Sequence, residues 1–136
     1  MVLSSCSAPT THDGLTGLLN RPSFTASIAH LKGPEVHVLV IGLENLRLIN
    51  ETLERSAGDG LLAELARRLR AFFPSPDYRI GRISGSGFAV AIGDAPTKVV
   101  YHKACRAVLA LRVKTTPGGR DLSVRASGGL ARGPLG

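Results

Sequence analysis

The sequence predicts an α/β (α+β) fold of the antiparallel, ferredoxin-like kind, with a central, mainly antiparallel sheet flanked by helices. Three observations lead there. Residues 36–43 are β-branched and almost wholly apolar, as a strand covered on both faces must be. Residues 78–83 and 88–92 are two shorter apolar runs around Ser84-Gly85-Ser86-Gly87, which reads as a hairpin with its turn. Helical apolar spacing flanks both features, so helices and strands alternate around a central hairpin.

Taken in order, residues 1–12 are small, polar and unpatterned, and read as a flexible tail or linker. Residues 13–21 alternate turn formers with leucines, the pattern of an ordered loop. Pro22 suits the first turn of a helix capped by Asn20, and Phe24, Ile28 and Leu31 follow at helical spacing until Gly33-Pro34 stops it. After the 36–43 strand, Leu46, Ile49 and Leu53 form the inner side of a short helix. Gly58-Asp59-Gly60 is expected to break it and start another. In that second helix Leu61, Leu62, Leu65, Leu69 and Phe72 share one face, while Glu64, Arg67, Arg68 and Arg70 lie mostly outward. Pro74-Ser75-Pro76 ends it and the hairpin follows. A helix from Thr97 to about Val113 aligns Val100, Ala104, Val108 and Leu111. Pro117-Gly118-Gly119 turns the chain into a final strand over residues 122–130, weakened by Gly128-Gly129.

Composition narrows the function. The chain has 136 residues, enough for one domain with a proper core. Its 43% hydrophobic and 20% charged content is that of a folded globular chain. Seventeen Lys+Arg against ten Asp+Glu leave a net charge of +7, which favours anionic partners or reflects solvated basic helix faces. Aromatics are only 4%, and all four phenylalanines fall at core positions, so stacking platforms for nucleic acid are poorly supplied and none is expected as a partner. Cys6 and Cys105 have no CxxC spacing, which argues against a disulfide scaffold or zinc site and fits a reducing cytoplasm. His12, His30, His37 and His102 are scattered, without the HxxxH or HExxH spacing of a zinc site. No apolar run approaches membrane-spanning length, so no membrane is expected as a partner of this segment.

Three separated segments carry a resemblance. Asp13-Gly14-Leu15-Thr16-Gly17-Leu18-Leu19-Asn20-Arg21 is similar to the DxLTGLxNR opening of the GGDEF, or diguanylate cyclase, domain family. Residues 42–51, continued by Gly58-Asp59-Gly60-Leu61-Leu62, resemble its DxDxFKxIND and GDxLL segment. Arg82-Ile83-Ser84-Gly85-Ser86-Gly87-Phe88 stands where the family has RxGGDEF, and residues 126–131 resemble its late VSIGVA strand. Each segment alone is weak, but the ordered set, running from residue 13 to 131, is specific. The resemblance implies a nucleotidyl-cyclase-like fold that joins two GTP molecules into cyclic di-GMP across a two-fold dimer. It also implies two carboxylates holding magnesium, one from the first Asp of DxD and one from the signature hairpin.

Carried over residue by residue, the implied site divides. The first metal position is Gly42, and the acids of the signature are Ser86 and Gly87, so no metal site and no catalytic residue is expected. Glu44 lies on the same strand face as Gly42 but about 6–7 Å further along, too far to replace the lost acid. The guanine side is retained: Asn50 and Asp59 fall on the positions that hydrogen-bond the base. Arg47 stands on the phosphate side, where the family keeps a Lys. Read from the residues alone, Asn50 is equally a polar residue on a short helix, Asp59 a helix N-cap, and Arg47 a solvated arginine. The family's RxxD product-inhibition motif would fall at Ser75-Pro76-Asp77-Tyr78 and is absent. Its last helix should follow Ala131, and the expectation is of a domain excised from something longer.

The expected function is thus that of a degenerate GGDEF domain, cytoplasmic and without cyclase activity, regulatory in bacterial cyclic-di-GMP signalling. It is expected to bind GTP as an effector and to work beside a phosphodiesterase-type or receptor domain, a protein partner or a second copy. The alternatives are a pure protein-interaction and dimerisation scaffold, or a residually active cyclase.

Overall fold

The computed structural model describes residues 11–31, 33–45, 51, 55–74, 78–93, 95–112, 114–115 and 122–134. Their order is β1 (Leu19–Asn20), α1 (Arg21–Ser27) with a 3-10 turn (Ile28–His30), β2 (Glu35–Leu43), α2 (Arg55–Phe72), β3 (Tyr78–Ser84), β4 (Gly87–Ile92), α3 (Thr97–Ala110), β5 (Lys114–Thr115), β6 (Leu122–Ser123) and β7 (Ala126–Pro134). Strands β1-β3-β4-β2-β7 make one sheet, and β5-β6 is a separate two-stranded ribbon. Every pairing in the main sheet is antiparallel except β1 with β3, so the expected mainly antiparallel α+β architecture is the one observed.

Period-two alternation divides the core. Leu39, Ile41 and Leu43 of β2 and Phe88, Val90 and Ile92 of β4 face α2 and α3, joining Leu65, Leu69, Ala104, Val108 and Leu111. Ala89 and Ala91 face the other way, against Phe24 of α1 with Leu31 and Val36. β4 is therefore buried on both faces. Leu65 and Leu69 are fully excluded from water, and each such side chain contributes about 2–3 kcal/mol of transfer free energy. Gly81 lets α1 lie directly on the sheet, because a Cβ there would come within 2.7 Å of the Phe24 Cβ. α1 begins as expected: Asn20 Oδ1 accepts from the Ser23 amide at 3.0 Å and Pro22 sits in the first turn.

Four boundaries differ from the sequence reading. α2 starts at Arg55 and runs through Gly58-Asp59-Gly60 without a break. Glycine inside a helix costs about 1 kcal/mol each, and the apolar face from Leu62 to Leu69 outweighs that. Asp59 is accordingly an interior residue of α2, and the N-cap alternative is excluded. Leu46, Ile49 and Leu53 lie outside the described residues. The final strand is two pieces, because buried Val124 turns the chain from β6 onto the main sheet. The Asn45 side chain holds that corner, donating to Ser123 O at 2.6 Å and accepting from the Arg125 amide at 2.8 Å. Gly128-Gly129 does not end β7, which pairs with β2 from Leu43↔Ala126 to Glu35↔Pro134. α3 ends at Ala110, capped by the Leu111 amide. At the other terminus, Thr11 and His12 are tied in: Thr11 O accepts from the Asn20 amide at 3.0 Å and His12 bridges to Leu19.

Candidate functional site

Strand register builds one end of the sheet. Gly42, next to last in β2, stands opposite Gly87 of β4 and opposite Ser127 of β7. All three face away from α2 and α3, because their neighbours Leu43, Phe88 and Ala126 point into that core. Side chains at directly opposed positions place their Cβ atoms about 5 Å apart, so acids at 42 and 87 would converge on a single cation. The chain offers none. A Cβ at Gly42 would touch nothing, whereas one at Gly87 would fall 2.6 Å from Ser84 Oγ. The Ser84 hydroxyl thus occupies the space that a side chain at 87 would leave by.

The hairpin tip is otherwise well formed. Ser84, Gly85 and Ser86 are exposed and Phe88 is buried. The Leu43 amide donates to Ser86 O at 2.8 Å, which fastens the tip to the end of β2. Glu44 is held on the β7 side of Gly42, at that glycine's register partner. Its Oε1 accepts from the Ser127 hydroxyl at 2.9 Å, and its amide donates to Arg125 O at 2.9 Å.

Beside this end lies a denser polar cluster. Arg82 Nη1 donates to Asp13 Oδ2 at 3.2 Å and Oδ1 at 3.4 Å, and Nη2 donates to Gly85 O at 3.1 Å. Asp13 Oδ2 also accepts from the Thr16 amide at 2.9 Å and hydroxyl at 2.7 Å. Gly17 completes the loop at φ 74°, a conformation that favours glycine. Arg70 Nη1 of α2 donates to Thr16 O at 3.2 Å. Burial pushes the Asp13 carboxyl up, but the Thr16 hydrogen bonds and the Arg82 guanidinium outweigh it and hold the group below its ordinary value. The first turn of the opening motif and the arginine of the signature are therefore one brace, and Arg82 is engaged in it. Sequence reading placed Asp13 in a loop and Arg82 in a hairpin without joining them. The available signal was an acid and a base at the leading positions of two motifs.

Asp59 is half-buried in the first turns of α2. The next residue, Gly60, lines a cleft of ≈ 400 Å³ with Ala63 and Arg67 of α2 and with Leu15 and Thr16 of the loop. Asn50 and Arg47 lie outside the described residues, so Asp59 is the one predicted guanine contact with a place. His37 is buried and shares a 3.1 Å hydrogen bond with Thr97.

Comparison with known proteins agrees with this layout. Residues 10–135 match the family described as diguanylate cyclase, GGDEF domain. The chain is 34% identical over 132 residues to an uncharacterized signaling protein of Caulobacter vibrioides, covering 90% of this chain and 16% of that protein. It is 34% identical over 84 residues to the cyclic di-GMP phosphodiesterase PdeB of Shewanella oneidensis, covering 60% of this chain and 10% of that protein. It thus spans a small part of the length of these relatives. A sensory box/GGDEF family protein from Caulobacter crescentus has the same fold, with a TM-score of 0.75 at 32% identity over 90% of this chain and 83% of that one.

Proposed function

The chain belongs to the diguanylate cyclase GGDEF domain family, and from that premise we propose that it is a regulatory member without cyclase chemistry, using GTP as an effector in cyclic-di-GMP signalling. One observation carries the reading. The two positions from which carboxylates would meet on magnesium are glycines paired in register, Gly42 and Gly87. Magnesium demands hard oxygen ligands in near-octahedral array, usually with carboxylates among them. The side chains beside that pair are hydroxyls and one carboxylate, Glu44, already bonded to Ser127. This donor set does not fit the ion, and without it the charge developing on a transferring phosphoryl group has no counterpart.

The guanine side supports retention of GTP. Asp59 is half-buried in α2 next to Gly60, which lines a cleft. In sequence, Asn50 stands at the family's other guanine position and Arg47 where the family keeps a Lys. A place beside a phosphodiesterase-type domain is supported by the match to part of a cyclic di-GMP phosphodiesterase. A receptor domain is the other neighbour proposed, and the cytoplasm, where GTP is available, the location; no described helix is long and apolar enough to cross a membrane.

Titration calorimetry with GTP and ATP, with and without magnesium, tests the proposal. The expected result is GTP binding in preference to ATP, little changed by magnesium, with no cyclic di-GMP formed. Asp59→Ala is expected to weaken binding about 10- to 100-fold, the range for a charged hydrogen bond of ~1.5–3 kcal/mol. Magnesium-dependent turnover would sink the proposal in favour of an enzyme. Absence of binding in both conditions would leave the scaffold reading.

A further inference from the structure

We propose that a cavity beside β3 is a second binding site, for a small organic anion that carries a carboxylate or phosphate group on an apolar body. The inference stands apart from GTP binding and needs neither Asp59 nor a metal. Strand register accounts for the cavity. β1 pairs with β3 only at Leu19↔Gly81 and Asn20↔Arg82. α1 packs on one face of β3 at Gly81, and Phe73, just after α2, meets Tyr78 of β3 edge-on. Past the end of β1 this leaves ≈ 470 Å³ beside Arg79 and Ile80, between Ser27 of α1 and Arg70 of α2. Small-molecule sites commonly measure about 300–1,000 Å³.

The charged side chains in the lining set the charge of the occupant. Arg70, Arg79 and His12 line the cavity, and among the described residues no aspartate or glutamate does. Arg79 is already engaged, donating to Tyr78 O at 3.0 Å, and contributes field rather than a contact. Arg70 carries the argument. Its neighbours on α2, Arg67 and Arg68, both pair with Glu64. Arg70 instead donates from Nη1 to Thr16 O at 3.2 Å and meets no carboxylate among the described residues. A guanidinium has five N–H donors in a fixed fork, so this bond positions the group while leaving donors to spare. Gly17 gives it room, since a Cβ there would come within 3.3 Å of Nη1. On the exposed side His12 is held in turn, its Nδ1 bonded to the Thr11 hydroxyl at 2.7 Å.

The remaining lining sets the body of the ligand. Leu19, Phe73 and Ile80 supply hydrocarbon and ring surface beside the guanidinium. A bare inorganic anion would satisfy Arg70 and leave that surface uncovered. An uncharged ligand would cover it and leave the guanidinium unmet. A molecule with its acid at Arg70 and its apolar part along Leu19 and Ile80 meets both demands, and arginine forks hold carboxylates and phosphates through paired N–H bonds. Gly17 and Arg70 also line the cleft at Gly60, so they stand between the two cavities.

NMR titration of the nucleotide-free chain with 1-naphthoate and with 1-naphthyl phosphate tests the site. Saturable shifts centred on the amides of Leu18, Leu19 and Ile80 are expected with at least one of them, and the tighter of the two identifies the acid group. The uncharged 1-naphthylmethanol should bind about tenfold more weakly or worse, a comparison that needs no variant. Arg70→Gln should weaken the acid by a similar factor, and Asp59→Ala should leave its affinity unchanged. No saturable shift with either acid overturns the proposal, as do shifts centred elsewhere. It fails equally if the alcohol binds as tightly as the acids, if Arg70→Gln has no effect, or if Asp59→Ala abolishes binding.

Discussion

The Asp13–Arg82 brace and the Gly42–Gly87 pair share one hairpin, and they differ in what their side chains are for. In the brace every charged group is met: Arg82 spans Asp13 and the Gly85 carbonyl, and Asp13 takes two hydrogen bonds from Thr16. Its arginine and carboxylate side chains are only 17% and 24% exposed, so removing either leaves the other uncompensated in a partly dry site. At the pair there is no side chain at all, and the sheet closes without one. β2 and β4 hydrogen-bond through their backbones whatever stands at 42 and 87. The fold therefore depends on the first region and is indifferent to the second. The sheet accepts glycine at 42 and 87 without loss of pairing, whereas loss of the brace leaves a charge unmet.

The largest expected effect comes from refilling the empty region. Gly42→Asp with Ser86→Asp and Gly87→Glu should create magnesium-dependent GTP binding, read by calorimetry, where the parent is expected to show no magnesium dependence. Ser84→Gly belongs in the same variant, because its hydroxyl sits 2.6 Å from the required Cβ. With Ser84 retained, Gly87→Glu alone should lose about 1–3 kcal/mol in chemical denaturation through overpacking. If the full set gains no magnesium dependence, the absence of acids is not what separates this site from a metal-binding one.

Breaking the brace comes next. Arg82→Ala should destabilise by about 2–3 kcal/mol, within the range for hydrogen bonds to a charged partner, and an unchanged denaturation midpoint would show the comparison to be wrong. The same site predicts a pH signature. A carboxyl whose folded pKa is lowered contributes stability that is complete above its unfolded value, about 3.9. That contribution is lost as pH falls from there through the lowered folded value. Asp13→Asn should therefore be less stable than the parent at neutral pH. It should also lose less stability on acidification. Parallel stability curves for the two proteins would remove Asp13 from the account.

The smallest effect is expected at Glu44. Its contact with the Ser127 hydroxyl is exposed, so Glu44→Ala should change stability by no more than about 0.5 kcal/mol and leave GTP affinity unchanged. A large loss of magnesium-dependent binding or turnover in that variant would instead revive the residual enzyme.

Much of this was legible in the chain. The apolar run of β2, the hairpin around Gly85-Ser86, the Asn20 cap and the core face of α2 follow from local spacing, and the missing acids are apparent from residue types alone. What spacing misjudged was punctuation. Gly58-Asp59-Gly60 looks like a break but lies inside α2, because burial of Leu62, Leu65 and Leu69 repays two glycines. Gly128-Gly129 looks like the fraying of a strand, yet Gly128 is the point where α3 touches the sheet.

By itself, then, the sequence determined most of the elements, the apolar faces of the helices and the absence of carboxylates at 42, 86 and 87, since these depend on residue type and on periods of 2 and 3.6. Only the tertiary structure decided which residues act together. Strand register set Gly42 against Gly87 and Ser127, and chain closure brought Asp13 to Arg82 across 69 positions. It also set β7 at the edge of the described sheet, beside α3. Such pairings arise from long-range packing, and no local pattern encodes which distant residue a side chain will meet.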